Sequence, residues 1–212
     1  MLTRGFTVIE VLVTLVILMF GLMGIAGLMA KGQRAAFEAF QRQTALTYAV
    51  SIAERIRSNR LQAPAYAGAA PLATPSGRGT QYQDYLDHNV TDCGSTNCSQ
   101  AALATYDISM WDGLLSGFTE QQAAAAAGTG NVGGIIRARG CIVELSNTSA
   151  ACPAPPAPTV PFTRTIQVSV AWQGDMATSV PTASTCGQGL YGAGDDQRRV
   201  IALNLMVSQP CP

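Results

Sequence analysis

The sequence predicts an α+β fold in which one long N-terminal helix packs on a small antiparallel sheet. Three observations predict it. An apolar run from Phe6 to Ala30 carries a single charge, Glu10, and no proline occurs before Pro64. Three later segments alternate apolar and polar residues, as half-buried strands do. Six cysteines all follow the apolar run, and an even number there predicts loops stapled by disulfides.

The apolar run is long enough to be a transmembrane helix, since about 20 apolar residues cross a bilayer. A carboxylate near the end of such a span is costly, so Glu10 needs a partner and is a candidate functional residue. A secretory signal peptide has a shorter apolar core and a small-residue cleavage site beyond it. A plain signal anchor explains the span but neither Gly5 nor Glu10.

The helix is predicted to continue through residues 31–60 as an amphipathic segment. Its apolar residues recur at steps of three and four, which predicts one stripe lying under the rest of the protein. Pro64 and Gly68 are expected to end it. The stripe comprises Phe37, Phe40, Thr44, Tyr48, Ile52 and Ile56.

The segment 61–98 is predicted to be rich in loops, with a short helical turn over Tyr82–Asn89. Ser99 is a candidate N-cap for a helix that ends near Ser116. Spacing predicts that this helix buries one apolar face, made of Leu103, Tyr106, Met110, Trp111, Leu114 and Phe118.

The three strand candidates are Ile135–Leu145, Thr163–Trp172 and Arg198–Val207. The proline-rich segment 153–158 cannot donate ladder hydrogen bonds, so it is predicted to be a loop between the first two strands. The strands need a cover for their apolar faces, and the helix stripe supplies it. Trp111 and Trp172 are interpreted as core residues.

The cysteines are predicted to pair with their neighbours in sequence, although six cysteines allow 15 pairings. A zinc site is the rival interpretation, but no Cys-x-x-Cys occurs and the one histidine, His88, lacks a partner at ligand spacing. No metal and no cofactor are therefore expected. The predicted disulfides are Cys93–Cys98, Cys141–Cys152 and Cys186–Cys211.

Charge is distributed unevenly although the net charge is zero. Residues 31–60 hold six basic and two acidic side chains, a net of +4, whereas residues 61–212 hold six basic and ten acidic, a net of −4. A basic stem and an acidic head are compatible with stem-to-head packing between subunits, and equally with a solvated helix face. No pattern of basic and aromatic residues predicts nucleic-acid binding.

Enzymatic chemistry has little support in the sequence. One histidine gives a serine–histidine–acid triad no positional support, and the glycine cluster at 128–134 lacks the lysine of a phosphate loop. The acid pairs Asp84/Asp87 and Asp195/Asp196 are interpreted as solvated loop residues. Calcium binding at Asp195 and Asp196 is the alternative.

The basic leader ending in Gly5, followed by Phe6, Glu10 and an uninterrupted apolar helix, resembles the N-terminus of type IV prepilins and pseudopilins. The resemblance implies a leader over residues 1–5, removed after Gly5 by a prepilin peptidase that also N-methylates Phe6. It implies that Glu10 pairs with the terminal amine of a neighbouring subunit. Residues 6–30 then form the transmembrane and filament-core helix, and residues 61–212 form the pilin head outside the inner membrane.

Two head patches resemble PilV-type minor pilins: Arg139–Leu145, and Val168–Gly174 with Arg198–Val200. This resemblance implies a minor pilin that primes assembly or lies at the filament tip. The implied partners are other major and minor pilins, the prepilin peptidase and N-methyltransferase, the inner-membrane assembly platform and membrane lipid. Two alternatives stay open: a pseudopilin of a type II secretion system, and an adhesive tip module that binds through Leu61–Cys98 and Gly174–Gln197.

Overall fold

A computed structural model describes residues 5, 7–71, 73–118, 121–122, 130–131, 134–148 and 161–210. The fold is α+β, with a long N-terminal helix and a three-stranded antiparallel sheet, as the sequence predicts. The chain divides into two compact units, Met1–Phe40 and Gln41–Pro212. The first is helical over nearly all of its described length.

Helix α1 spans Val8–Ser58 and passes the predicted boundary at residue 30 without a break. No residue between Val8 and Phe40 is buried. The prediction that Phe37 and Phe40 join the stripe under the head is wrong, because their side chains are 50% and 63% exposed. The buried face of α1 starts only with Gln41, where the second compact unit begins.

Within the second unit, α1 packs with small side chains against the sheet. Three alanines, Ala45, Ala49 and Ala53, are buried with Ile52 and Ile56. These residues share one buried core with residues of the strands. The strand residues in that core include Ile142, Ile166, Val168, Val170, Trp172, Leu205 and Val207.

Three further α-helices follow α1 in the sequence, before the strands: α2 (Ala63–Ala69), α3 (Thr80–Leu86) and α4 (Gln100–Ser116). Helix α2 lies in the segment that the sequence predicts to be rich in loops, where Pro64 is expected only to end α1. Pro64 lies in the first turn of α2, where a proline is favourable.

Helix α4 begins and ends as its sequence predicts. The Ser99 Oγ accepts a hydrogen bond from the Ala102 N–H at 3.2 Å, and Gly117 ends the helix with a left-handed φ of +74°. The predicted buried face is wrong, since only Trp111 of that set is buried. Two acids, Asp107 and Asp112, occupy the buried face together with Ala104, Ile108, Ser109, Gly113 and Leu115.

The main sheet has the order β3-β4-β5, with both pairs antiparallel. The strands are β3 (Arg139–Asn147), β4 (Phe162–Gln173) and β5 (Arg198–Gln209), and two short strands, β1 (Gln121–Gln122) and β2 (Gly130–Asn131), pair separately. The three predicted strands are confirmed. The first starts later than predicted, because Ile135 to Ala138 form a turn closed by the Ala138 N–H and the Ile135 carbonyl.

A second layer covers the sheet face opposite α1. Cys141 of β3 pairs with Ser169 of β4 in the sheet register, and both point away from the helix core. The segment that follows β4 folds back over this face and places Cys186 and Tyr191 against Cys141 and Ala171. The end of β4 is therefore buried on both faces.

This second layer explains why two predicted disulfides are wrong. The structure contains Cys93–Cys98, as predicted, and Cys141–Cys186 in place of Cys141–Cys152 and Cys186–Cys211. The Cα atoms of Cys141 and Cys186 lie 5.8 Å apart, because the fold brings together residues that are 45 positions apart in sequence. Cys152 and Cys211 lie outside the described residues.

Candidate functional site

The N-terminal end of α1 carries the predicted assembly residues. Thr7 precedes the helix, and its Oγ1 and carbonyl oxygen accept hydrogen bonds from the Glu10 N–H at 3.4 and 3.1 Å. A threonine followed three residues later by a glutamate is the capping-box spacing, which satisfies the free N–H groups of a helix start. The sequence interpretation missed Thr7, although this spacing was visible in it.

Glu10 lies on the first turn of α1, and its side chain is exposed. Within the described residues, no cation contacts its carboxylate. A negative charge near a helix N-terminus is favoured by the helix dipole, so the position tolerates a carboxylate without fixing its partner. Gly5 is exposed, whereas Phe6 and residues 1–4 lie outside the description.

The surface that follows Glu10 is apolar on every side. Each large hydrophobic side chain from Val8 to Met29 is at least 42% exposed. By length and composition, α1 is able to cross a membrane. A helix that is apolar all round requires an apolar surrounding, and none of the described residues of this chain provides one for this part.

The other end of α1 is fastened to the head by a buried polar network. Arg55 Nη1 lies 2.5 Å from Asp107 Oδ1, and Tyr66 donates its hydroxyl to Asp107 Oδ2 at 2.6 Å. Asn59 donates to the Gln100 carbonyl at 2.7 Å. Burial and then the hydrogen bond to Asp107 raise the pKa of Tyr66 well above its usual value of 10, so the phenol keeps its proton.

The network joins α1, α2 and α4 at one point. The Trp111 Nε1–H adds a bond from α4 to the Tyr48 carbonyl of α1 at 3.0 Å. A buried acid with both carboxylate oxygens bonded favours one arrangement, because any slip would leave a charge unpaired. The arrangement fastens α1 to the head. No signal in the sequence separated Asp107 from a solvated helix acid.

The segment between β4 and β5 is held rigid by arginine and aspartate side chains. Arg198 is only 2% exposed and donates to the carbonyls of Ser184 and Pro181 at 2.7 and 2.9 Å. Asp195 accepts from the Gly189 N–H at 2.7 Å and lies 3.4 Å from Arg198 Nε. The prediction that Asp195 is a solvated loop acid is wrong, because it is 6% exposed and organises this segment.

Other predicted residues keep the positions expected of them. Asp84 and Asp87 are exposed on and after α3, and Trp111 and Trp172 are both buried in the core. His88 is exposed. Over the described parts of the chain, no group of three or more metal-ligating side chains comes together.

Comparison with known families adds independent information. A family model described as type IV pilin Tt1218 matches residues 28–109. The match starts after Gly5 and Glu10, so it does not depend on the motif at the start of the chain. The chain is type IV pilin-like. No curated protein and no solved structure matches it.

Type IV pilins are structural subunits. Type IV pilins associate with one another in a filament. The apolar helix of this chain, exposed over its whole circumference, is compatible with membrane anchoring and with packing in a filament. The matched residues reach from the apolar part of α1 into α4. They lie apart from the two patches that resemble PilV-type minor pilins, so that closer assignment stays a prediction.

Proposed function

We propose that this chain is a minor pilin that takes part in type IV pilus assembly as part of a priming or tip complex. Its leader would be removed after Gly5 and the new terminal residue, Phe6, would be N-methylated. Before assembly the helix would span the inner membrane with the head in the periplasm. After assembly the head would be displayed on the pilus outside the cell.

The observation that carries this proposal is Glu10. It is the one charge in the apolar part of α1, it is exposed, and it meets no cation among the described residues. A carboxylate in a lipid-like surrounding is penalised unless it finds an opposite charge, and the attraction strengthens as the dielectric constant falls. The terminal amine of a neighbouring subunit supplies that charge at one axial position only, so the pair selects the register of docking.

The fastening of α1 to the head supports the same proposal. Arg55 and Tyr66 both bond to the buried Asp107 and so fix the helix to the head. A subunit drawn out of the membrane by its helix then carries its head along without sliding. The basic segment 31–60 and the acidic head also give neighbouring subunits complementary charges.

Replacing Glu10 with glutamine tests the docking charge while keeping the side-chain size. We expect the amount of this protein in sheared filaments to fall at least about tenfold, the effect of about 1.4 kcal/mol, while its amount in the membrane is unchanged. Glu54→Gln is the matched control, because Glu54 forms an exposed ion pair with Arg57 within α1. Wild-type incorporation of the Glu10→Gln variant would contradict the docking role.

Processing is tested by Gly5→Leu. Mass spectrometry should find the wild-type protein starting at Phe6 with one added methyl group, and the variant with its leader retained. A mature mass for the variant would reject the leader assignment. Deletion of the gene should reduce the number of pili per cell, and labelled heads should be found at filament tips; uniform labelling along the shaft would reject the minor role.

A further inference from the structure

A cleft of about 300 Å³ lies on the head between two segments that are far apart in sequence. Pro75 and Arg78 line one wall, and Thr185, Gln188 and Leu190 line the other. Small-molecule sites start at about this volume. All of its lining residues belong to the unit Gln41–Pro212, and nothing in the proposed pilus function requires the cleft.

The first wall, around Pro75 and Arg78, is fixed by hydrogen bonds to β3 and α4. Ser76 exchanges two backbone hydrogen bonds with Gly140 of β3, each 2.9 Å long. The Asp112 carboxylate accepts the N–H groups of Gly77 and Arg78 at 2.5 and 3.1 Å. Gly77 has a φ of +98°, and a Cβ there would lie 2.4 Å from the Ala138 carbonyl oxygen. The wall is therefore held in one conformation by close backbone contacts.

The second wall is fixed by different bonds. The Cys141–Cys186 disulfide ties it to β3, and Arg198 donates to the Ser184 and Cys186 carbonyls from beneath. Gly187 has a φ of +64°, and a Cβ there would lie 2.8 Å from the Tyr191 ring. A cleft whose two walls are both rigid before binding loses little entropy when a ligand arrives, which favours affinity.

Arg78 gives the cleft its charge. Among the residues that the structure describes, its guanidinium forms no ion pair and no hydrogen bond. The two acids that fix the walls are already bonded, because Asp112 accepts backbone N–H groups and Asp195 binds Arg198 and the Gly189 N–H. An arginine with no partner on a rigid wall is suited to bind a carboxylate through two parallel hydrogen bonds.

The remaining lining residues narrow the ligand class. Thr185 and Gln188 offer hydroxyl and amide groups for hydroxyl partners, and the exposed Ala73 and Leu190 offer an apolar surface for a C–H face. One unpaired cation matches one negative charge rather than the double charge of a phosphate. The backbone of the first wall is already bonded to β3, so within the described chain it offers no strand edge to a peptide.

We propose that this cleft binds a carboxylate-bearing sugar residue, with Arg78 holding the carboxylate and Thr185 and Gln188 holding ring hydroxyls. The proposal rests on the cleft alone and holds whether the head lies at the tip or along the shaft. Its failure would leave the pilus proposal untouched, because the test uses purified protein and counts no filaments.

The test measures binding of D-glucuronate to the full chain in a zwitterionic detergent that has no sugar headgroup, by ligand-observed NMR. D-Glucose keeps the ring and lacks the carboxylate, and acetate keeps the carboxylate and lacks the ring. We expect glucuronate to bind at least about tenfold more tightly than either, since a charge-assisted pair and the hydroxyl contacts both contribute. Equal binding of all three, or no binding of glucuronate, would overturn the proposal.

Two variants localise the binding. Arg78→Gln should weaken glucuronate binding at least about tenfold, whereas Arg57→Gln removes an exposed arginine of α1 far along the chain and should change nothing. Gln188→Ala should weaken glucuronate binding and leave acetate unaffected. Intact Cys141–Cys186 in each variant, shown by non-reducing peptide mapping, verifies the fold. Unchanged affinity in Arg78→Gln, or tighter binding of a triglutamate peptide than of glucuronate, would reject the assignment.

Discussion

The two parts of α1 differ in where their apolar side chains find partners. Between Val8 and Phe40 no residue is buried, and leucine, isoleucine, methionine and phenylalanine point in every direction. From Gln41 to Ile56 the buried residues fall on one helical face, and three of the six are alanines. Both parts are helical and without proline, so helix breakers do not separate them. Periodicity does, because a helix covered on one side needs only one apolar face.

The difference indicates where each part is stabilised. The distal part of α1, from Gln41 onward, belongs to the head, and other residues of this chain cover its apolar face. The proximal part, from Val8 to Phe40, is not covered by the described residues. Its apolar surface therefore requires contact with lipid or with other subunits. A head with its own core and a helical segment without a cover are both compatible with a type IV pilin-like protein.

An isoleucine-to-alanine substitution in each of the two parts of α1 tests this difference most clearly. Ile52→Ala removes a side chain that is 0% exposed, and we expect it to lower the free energy of unfolding of the head by about 2–5 kcal/mol. Ile17→Ala removes one that is 65% exposed and should change it by less than about 0.5 kcal/mol.

Urea unfolding of the full chain in detergent measures both values. The two tryptophans, Trp111 and Trp172, are buried in the head, so their fluorescence reports head unfolding alone. Equal effects of the two substitutions would mean that the distal part of α1 does not share the core of the head.

The two described disulfides offer a second comparison, inside the head. Replacing Cys141 and Cys186 with serine opens a loop of 45 residues and should cost about 4 kcal/mol, whereas the same change at Cys93 and Cys98 opens one of five and should cost about 2 kcal/mol. Non-reducing peptide mapping identifies the pairs, and unfolding by urea measures the costs. A Cys141–Cys152 peptide would show that the segment after β4 does not cover the sheet.

Much of the fold was predictable because it depends on local signals. Ser99 and Gly117 mark the ends of α4, and strict alternation marks β4, since caps and periodicity act within a few residues. The errors depend on contacts between distant residues. Asp107 and Asp112 are buried because α2, α1 and the first cleft wall supply their partners, and no spacing within α4 reveals that.

The candidate site also combines residues that a local pattern predicts with residues that depend on contacts between distant segments. Gly5, Glu10 and the apolar run are a local pattern, and the capping role of Thr7 belongs to it. Cys186 pairs with Cys141 because the segment after β4 turns back over the sheet, and Arg198 and Asp195 hold it there. A preference for neighbouring cysteines reflects low loop-closure cost in an open chain, but it ignores such a layer.

The smallest expected effect is a loss of head stability in alkali. Burial raises the pKa of Tyr191 from its usual 10 to about 12, and its hydroxyl donates to the Arg137 carbonyl at 2.9 Å. The folded head therefore holds this proton at a pH where the unfolded chain has released it. The stability that this contributes is complete below pH 10 and is lost as the pH rises from 10 to 12, by about 1 kcal/mol near pH 11.

Tyr66 should act in the same direction, because its pKa is also raised by burial and by Asp107. Urea unfolding at several pH values measures the loss, and phenolate absorbance shows when the tyrosines ionise. Tyr191→Phe should lose less stability over this range than the wild type, since no phenol at that position remains to ionise. The exposed apolar part of α1 holds no tyrosine before Tyr48, so the alkaline loss belongs to the head alone. A free energy of unfolding that stays constant from pH 10 to 12 would show that Tyr191 is in contact with solvent. The segment after β4 would then not cover this face of the sheet.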